Sequence, residues 1–147
     1  MSKHEEADLI LKLYELRREG TLRKARDWYF LEFHPESMAD VNAALFSEHS
    51  GHLRMVTTYW EMAAALVNHG AICMELFNET NSEHISVFSK IEPLLGEVRN
   101  AFGAQFLANL EKLIDAMPNG RSRTEAARQR ANTIRAELAS RRVQATA

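Results

Sequence analysis

Hydrophobic positions recur at intervals of three and four along almost the whole chain, the spacing that gathers side chains on one face of a helix. No run of alternating β-branched residues bounded by turn signals occurs, so strands are not expected. The first pattern runs from Glu5 to Glu19, with Leu9, Ile10, Leu13, Tyr14 and Leu16 on one side and Lys12, Glu15 and Arg18 opposite. Gly20 reads as its stop. Thr21 reads as the cap of a second helix to Phe33, apolar at Leu22, Ala25, Trp28, Tyr29, Leu31 and Phe33 and basic at Arg23, Lys24 and Arg26. His34-Pro35 closes it, because the residue before a proline is pushed out of the helical region. Ser37, with Asp40 three residues on, marks a capping box for a short helix to Phe46.

The most apolar pattern spans residues 52–69. Leu53, Val56, Trp60, Ala63 and Val67 form one stripe and Met55, Tyr59, Met62 and Leu66 a second, leaving only the line of Arg54, Thr58, Glu61 and Asn68 polar. A helix apolar over most of its circumference belongs at the centre of a bundle. A membrane span is excluded, since Glu61 and Glu75 would each cost about 2.5–3.5 kcal/mol near a bilayer centre and His69-Gly70 breaks the run too early. A shorter helix is expected over 71–78, then a polar link through Ser82. The pattern from Glu83 to Phe102 turns Ile85, Phe88, Ile91, Leu94, Leu95, Val98 and Phe102 inward, with a kink at Pro93. After Gly103 a helix to Met117 carries Phe106, Leu107, Leu110, Leu113 and Ile114.

PNGRS, residues 118–122, is the clearest boundary. It divides a helical bundle domain, 1–118, from a basic C-terminal helix or tail, 119–147. In the tail Thr124 reads as the cap of a helix whose apolar seam is only Ala127, Ala131, Ile134 and Leu138. The fold class expected is all-α: an irregular bundle of six to eight helices around the central apolar helix near 52–69.

Length and charge refine this picture. A chain of 147 residues can bury about two-thirds of its unfolded surface in one core without a metal or disulfide staple. The single cysteine, Cys73, lies in an apolar segment and reads as a buried thiol in a reducing compartment. The opening MSKHEEADLI has acids where a secretory leader has bases, so the expected location is cytoplasmic. The net charge of −2 is unevenly spread: seven arginines against two glutamates from Arg121 onward give +5, which leaves −7 for residues 1–120.

Three stretches carry a resemblance: LYELRREGTLRKARDWYFLEF from Leu13, YWEMAAALVNHGAICMELF from Tyr59, and IEPLLGEVRNAFGAQFLANLEKL from Ile91. In that order they resemble a bacterial family defined only as a domain of unknown function, number 4760. The resemblance covers most of residues 9–115. It implies a helical fold and brings no activity and no functional residue. Members usually begin with a membrane-spanning helix, which this chain lacks.

Candidate chemistry is sparse. His49 and His52, in EHSGH, have a spacing that allows two imidazoles on one helical face, but Gly51 between them and the lack of a second Glu-x-x-His favour solvated or capping histidines over a metal site. Glu61 is the carboxylate to watch: a cleft there would raise its pKa, whereas pairing with Arg23 or Arg26 would make it structural. His69 and Cys73 could form a base and thiol pair only if the glycine turn between them allows it. No phosphate-binding glycine loop, nucleophile elbow or Cys-x-x-Cys occurs, and no cofactor is implied. The tail offers Arg128, Arg130 and Arg135 to a partner or to nucleic acid. Nucleic acid is disfavoured, because no aromatic is interleaved for stacking and the body is acidic.

Three functional readings follow. The first is a non-catalytic cytosolic interaction or regulatory module, working as a homo-oligomer or with another protein, with Trp28, Tyr29 and Phe33 supplying any interface the core leaves open. The second is a small-molecule-binding or enzymatic bundle with a pocket around Tyr59, Glu61, His69 and Cys73. The third is nucleic-acid contact through the arginine-rich tail.

Overall fold

The computed structural model describes residues 2–147. Its centre is α4, Ser50–Asn68, which buries Leu53, Val56, Tyr59, Trp60, Ala63, Ala64 and Val67. α2, Gly20–Leu31, packs along one side of it and α8, Ala108–Ala116, along another. Fully buried alanines at 25, 63 and 64 keep the facing ridges low, so the backbones can approach closely. α1, Lys3–Arg17, and α3, Met38–Leu45, close the outer faces. α5, Met74–Thr80, follows the turn after α4.

α6, Glu83–Ile91, passes through a 3-10 turn at Glu92–Leu94 into α7, Leu95–Phe102. Pro93 has no amide to donate, so the ladder breaks there as the sequence predicts. Counting that continuous kinked run as one, the described residues form eight helices and no strand. The last helix, α9, Gly120–Thr146, is the longest, and its first turns lie on α6 and α8.

The capping box expected on α3 is present, and α1 carries one that the sequence pattern did not mark. Ser37 and Asp40 form a reciprocal box on α3, and Ser2 and Glu5 form another on α1. Elsewhere the structure departs from the sequence pattern. Gly20 is the first residue of α2, not the stop of α1, and the cap is Glu19, whose carboxylate accepts from the Thr21 and Leu22 amides. A carboxylate at that site also gains from the dipole of α2. α5 starts three residues later than expected because Gly70, at φ +80°, and the turn after it take up the chain to Cys73. α8 starts late for a similar reason: Gly103, at φ +116°, and Leu107, at φ +53°, shape the approach to it.

Thr124 does not cap α9. Asn119, in the left-handed region at φ +57°, precedes that helix, and Thr124 is buried inside it. The inward set also needs correction. Tyr14, Leu16 and Phe102 face solvent, and so does Leu31. Trp28, Tyr29 and Phe33 are all buried, with Trp28 stacked on Phe33 at 5.0 Å, so they are core residues and present no open surface.

The first turns of α9 are inside the bundle with the rest: Gly120, Thr124 and Ala127 are buried. A Cβ at Gly120 would stand 1.8 Å from the Ile114 carbonyl oxygen, so α8 and α9 meet more closely than any side chain permits. Around that joint Arg121 reaches Asp115 at 2.6 Å, Glu92 at 2.7 Å and Glu111 at 2.9 Å. Arg128 donates to Glu92 at 2.9 Å and to the Ser89 carbonyl at 2.8 Å, and the Thr124 hydroxyl donates to Glu92 at 3.0 Å. Arg128 is thus engaged within the fold.

Candidate functional site

The four residues of the sequence-predicted pocket have separate tasks. The Tyr59 hydroxyl donates to the Leu13 carbonyl, fastening α1 to α4, and burial pushes its pKa up to about 12. Glu61, two residues on, points about 200° away around the helix. It pairs with neither Arg23 nor Arg26. Its two oxygens accept from the Asn109 amide at 2.9 Å, the Leu110 amide at 2.8 Å and the Asn109 side chain at 3.0 Å. Leu107, at the N-cap of α8, offers no side-chain acceptor, so Glu61 caps that helix from across the bundle. Arg26 instead makes a fork on Glu83, both contacts at 2.7 Å, joined by Arg17 at 3.5 Å.

His69 is the exposed C-cap of α4 and Cys73 an exposed residue before α5, contrary to the buried thiol expected. Cys73 follows Ile72, which takes the core position in that turn. None of the four lines the grooves described below. His49 stacks flat on Trp28 at 5.2 Å, with His52 tilted beside it at 6.2 Å. Among the described residues no group of three or more His, Cys, Asp or Glu side chains converges as a metal site would need.

What the structure does assemble is a groove of about 450 Å³ between the end of α2, the outer face of α6 and the far half of α9. Phe30, Leu31, Ala131, Ile134 and Leu138 give it apolar walls. Its polar lining is His34, Lys90, Arg130, Arg135 and Arg142 with two serines, and no carboxylate lines it. Leu31, Ile134 and Leu138 are 61, 59 and 41 % exposed, large apolar side chains left open on facing walls. Among the described residues Arg130, Arg135 and Arg142 make no ion pair, unlike Arg121, Arg128 and Arg141.

Lys90 forms the floor. Its ammonium donates to the carbonyls of Tyr29 at 2.5 Å and Phe33 at 2.7 Å, capping the C-terminus of α2 where a cation is favoured. It has no acidic partner among the described residues. Burial pushes its pKa down to about 7, and the nearby Arg135 charge pushes the same way. His34, beside it, is held below the usual imidazole value by burial and then by Lys90. A smaller hollow of about 230 Å³ continues from Lys90 under the other flank of α9 toward Pro93.

Sequence reasoning placed Ile134 and Leu138 in the apolar seam and Arg130 and Arg135 among the partner contacts, but it missed Lys90 and put Leu31 on the inward face of α2. The periodic pattern did not mark Lys90, which lies two residues and about 200° of turn from Phe88 and so off the inward stripe of α6.

The family described as "Domain of unknown function (DUF4760)" matches residues 4–117. The chain belongs to that family. The match ends three residues before α9 begins, so in this DUF4760 member the α2 and α6 walls of the groove lie inside the family span and the α9 wall outside it. No curated protein and no solved structure matches the chain. Among the described residues no helix is long and apolar enough to cross a membrane.

Proposed function

We propose that this DUF4760 protein is a non-catalytic interaction module whose docking surface is the groove between α2, α6 and the far half of α9. The observation that carries this reading is the coincidence, on one surface, of open apolar side chains at Leu31, Ile134 and Leu138 with three arginines lacking acidic partners. Buried elsewhere, such residues would be core and paired; placed together in the open they suit a partner that brings both apolar area and acids. The catalytic alternative loses its support because Tyr59 and Glu61 are occupied in holding helices together. An exposed lone thiol at Cys73 favours a reducing, cytosolic setting for the module.

Site-specific photo-cross-linking in cells tests the reading. A benzophenone side chain replacing Ile134 should give a discrete cross-linked species, and one replacing Lys112, exposed on α8, should not. The species should disappear when Leu138→Asp is added. A species at twice the chain's mass identifies a second copy as the partner. No species from position 134, or the same species from both positions, would remove the groove as a docking surface.

A further inference from the structure

The seam of α9 is spaced as a coiled-coil repeat. Thr124, Ala127, Ala131, Ile134 and Leu138 are separated by three, four, three and four residues, the alternation of a and d positions in a heptad. Its first members, Thr124 and Ala127, are buried against the bundle, and its last, Ile134 and Leu138, overhang the groove. The seam therefore runs unbroken from the core to an unfilled slot. Across that slot stands Leu31, at the end of α2. Two helices with open apolar residues on facing walls leave the place of a third helix.

The flanks of the same repeat are charged almost uniformly. From Thr124 onward the e and g positions are Arg128, Arg130, Arg135, Glu137, Arg142 and Gln144. Flanking charges set which helix can pair and in what sense. Arg128 is occupied by Glu92, but Arg130, Arg135 and Arg142 face the slot unpaired, above the Lys90 ammonium. A second α9 laid antiparallel would set arginine against arginine at its e positions. A helix with acids on its flanks would meet a cation at every charged flank position but Glu137, which Arg141 already pairs.

We infer that the groove binds an amphipathic helix of a partner protein with leucine-like residues along its seam and acidic residues on both flanks. This rests on the docking-surface reading above and adds to it the chemistry of the partner. Nucleic acid would share the charge attraction but offers nothing to Leu31, Ile134 and Leu138, which would stay in water.

The probe is a fluorescein-labelled synthetic peptide of three heptads with leucine at a and d and glutamate at e and g, set beside its twin with lysine at e and g. Binding to the full chain is followed by anisotropy at physiological salt. The glutamate peptide should bind at least about tenfold more tightly than the lysine peptide, and its affinity should fall as salt rises. The triple variant Arg130→Glu, Arg135→Glu, Arg142→Glu should invert that order. Ile134→Asp with Leu138→Asp should abolish binding of both. These five positions are exposed, and unchanged melting confirms that each variant is folded.

Equal binding of the two peptides, no binding of either, or a preference that survives the charge reversal would overturn the inference. So would displacement of the glutamate peptide by a DNA oligonucleotide that itself binds the aspartate double variant, since that contact would need no apolar seam. If the peptides fail while the cross-link at position 134 persists and is lost with Leu138→Asp, the docking surface stands and only the partner's chemistry is wrong. If both fail, both readings fall.

Discussion

The two halves of α9 are made of similar residues and behave differently. In the near half, small side chains at Gly120, Thr124 and Ala127 let the helix sink onto α6 and α8, and Arg121 and Arg128 meet Glu92, Glu111 and Asp115. In the far half the seam residues are larger, stay in solvent, and are flanked by Arg130, Arg135 and Arg142 without acids. Basic charge in the first half is thus matched by the acidic body of the same chain. In the second half it is surplus and stands beside open apolar area, the combination on which the proposed docking surface rests.

The sharpest way to break this contrast is at the joint. Gly120→Ala sets a methyl 1.8 Å from the Ile114 carbonyl oxygen, and backbone must move; we expect a loss of about 3 kcal/mol or more in urea unfolding. A loss below about 1 kcal/mol would mean the joint is slack and the near half not firmly docked.

Glu92→Ala comes next. It removes acceptors from Arg121, Arg128 and Thr124 together, with an expected cost of about 1–3 kcal/mol by the same measurement. The same cluster predicts how acid acts. Arg121 holds the carboxyls of Glu111 and Asp115 below their usual range, and although burial pushes Glu92 upward, its bonds to Arg121, Arg128 and Thr124 more than reverse this. Folded values below unfolded ones give stability that is present above the ordinary carboxylate range and lost as pH falls through the folded values. Amide exchange should therefore rise in residues 120–128 on acidification before it changes in α4. Uniform loss of protection in both would contradict it.

A third test works from beneath the far half. The Lys90 value of about 7 lies below the usual 10.5, so the cost of burying its charge is full below pH 7 and is relieved as pH rises toward 10. The melting temperature should climb through that interval. Arg135→Ala removes one of the two causes and should move the climb to higher pH. An unchanged profile in Arg135→Ala would show that the far half does not reach over Lys90.

The smallest effect is expected where the contrast is plainest. Ile134→Ala and Leu138→Ala should change stability by no more than about 0.5 kcal/mol, against about 2–5 kcal/mol for Leu113→Ala in the core of α8. A large loss at Ile134 would mean that the far half is held down in solution.

Much of this architecture was legible before the structure. The double stripe of residues 52–69, the Ser37 and Asp40 box and the Pro93 kink each express a local rule, and local rules can be read one residue at a time. The turns were harder. Gly20 reads equally as a helix stop or a helix start, and only the backbone, which has no positive φ there, decides. The role of Glu61 was not legible at all, because the amides it caps lie 48 and 49 residues away on a helix that lacks a capping residue of its own. The groove escaped for the same reason. Its walls come from α2, α6 and α9, and a seam of alanines and two larger residues does not say in advance how far along itself it will be covered.

The joint at Gly120 also sets the aim of everything beyond it. A helix rises about 1.5 Å per residue, so Arg142 stands about 33 Å along α9 from its pivot, and a tilt of about 10° there would carry it sideways by about 6 Å. That displacement exceeds the reach of a salt bridge. The spacing between Leu138 and Leu31, and with it the width of any helix the slot accepts, is therefore calibrated at the opposite end of the molecule, by the absence of a single methyl group.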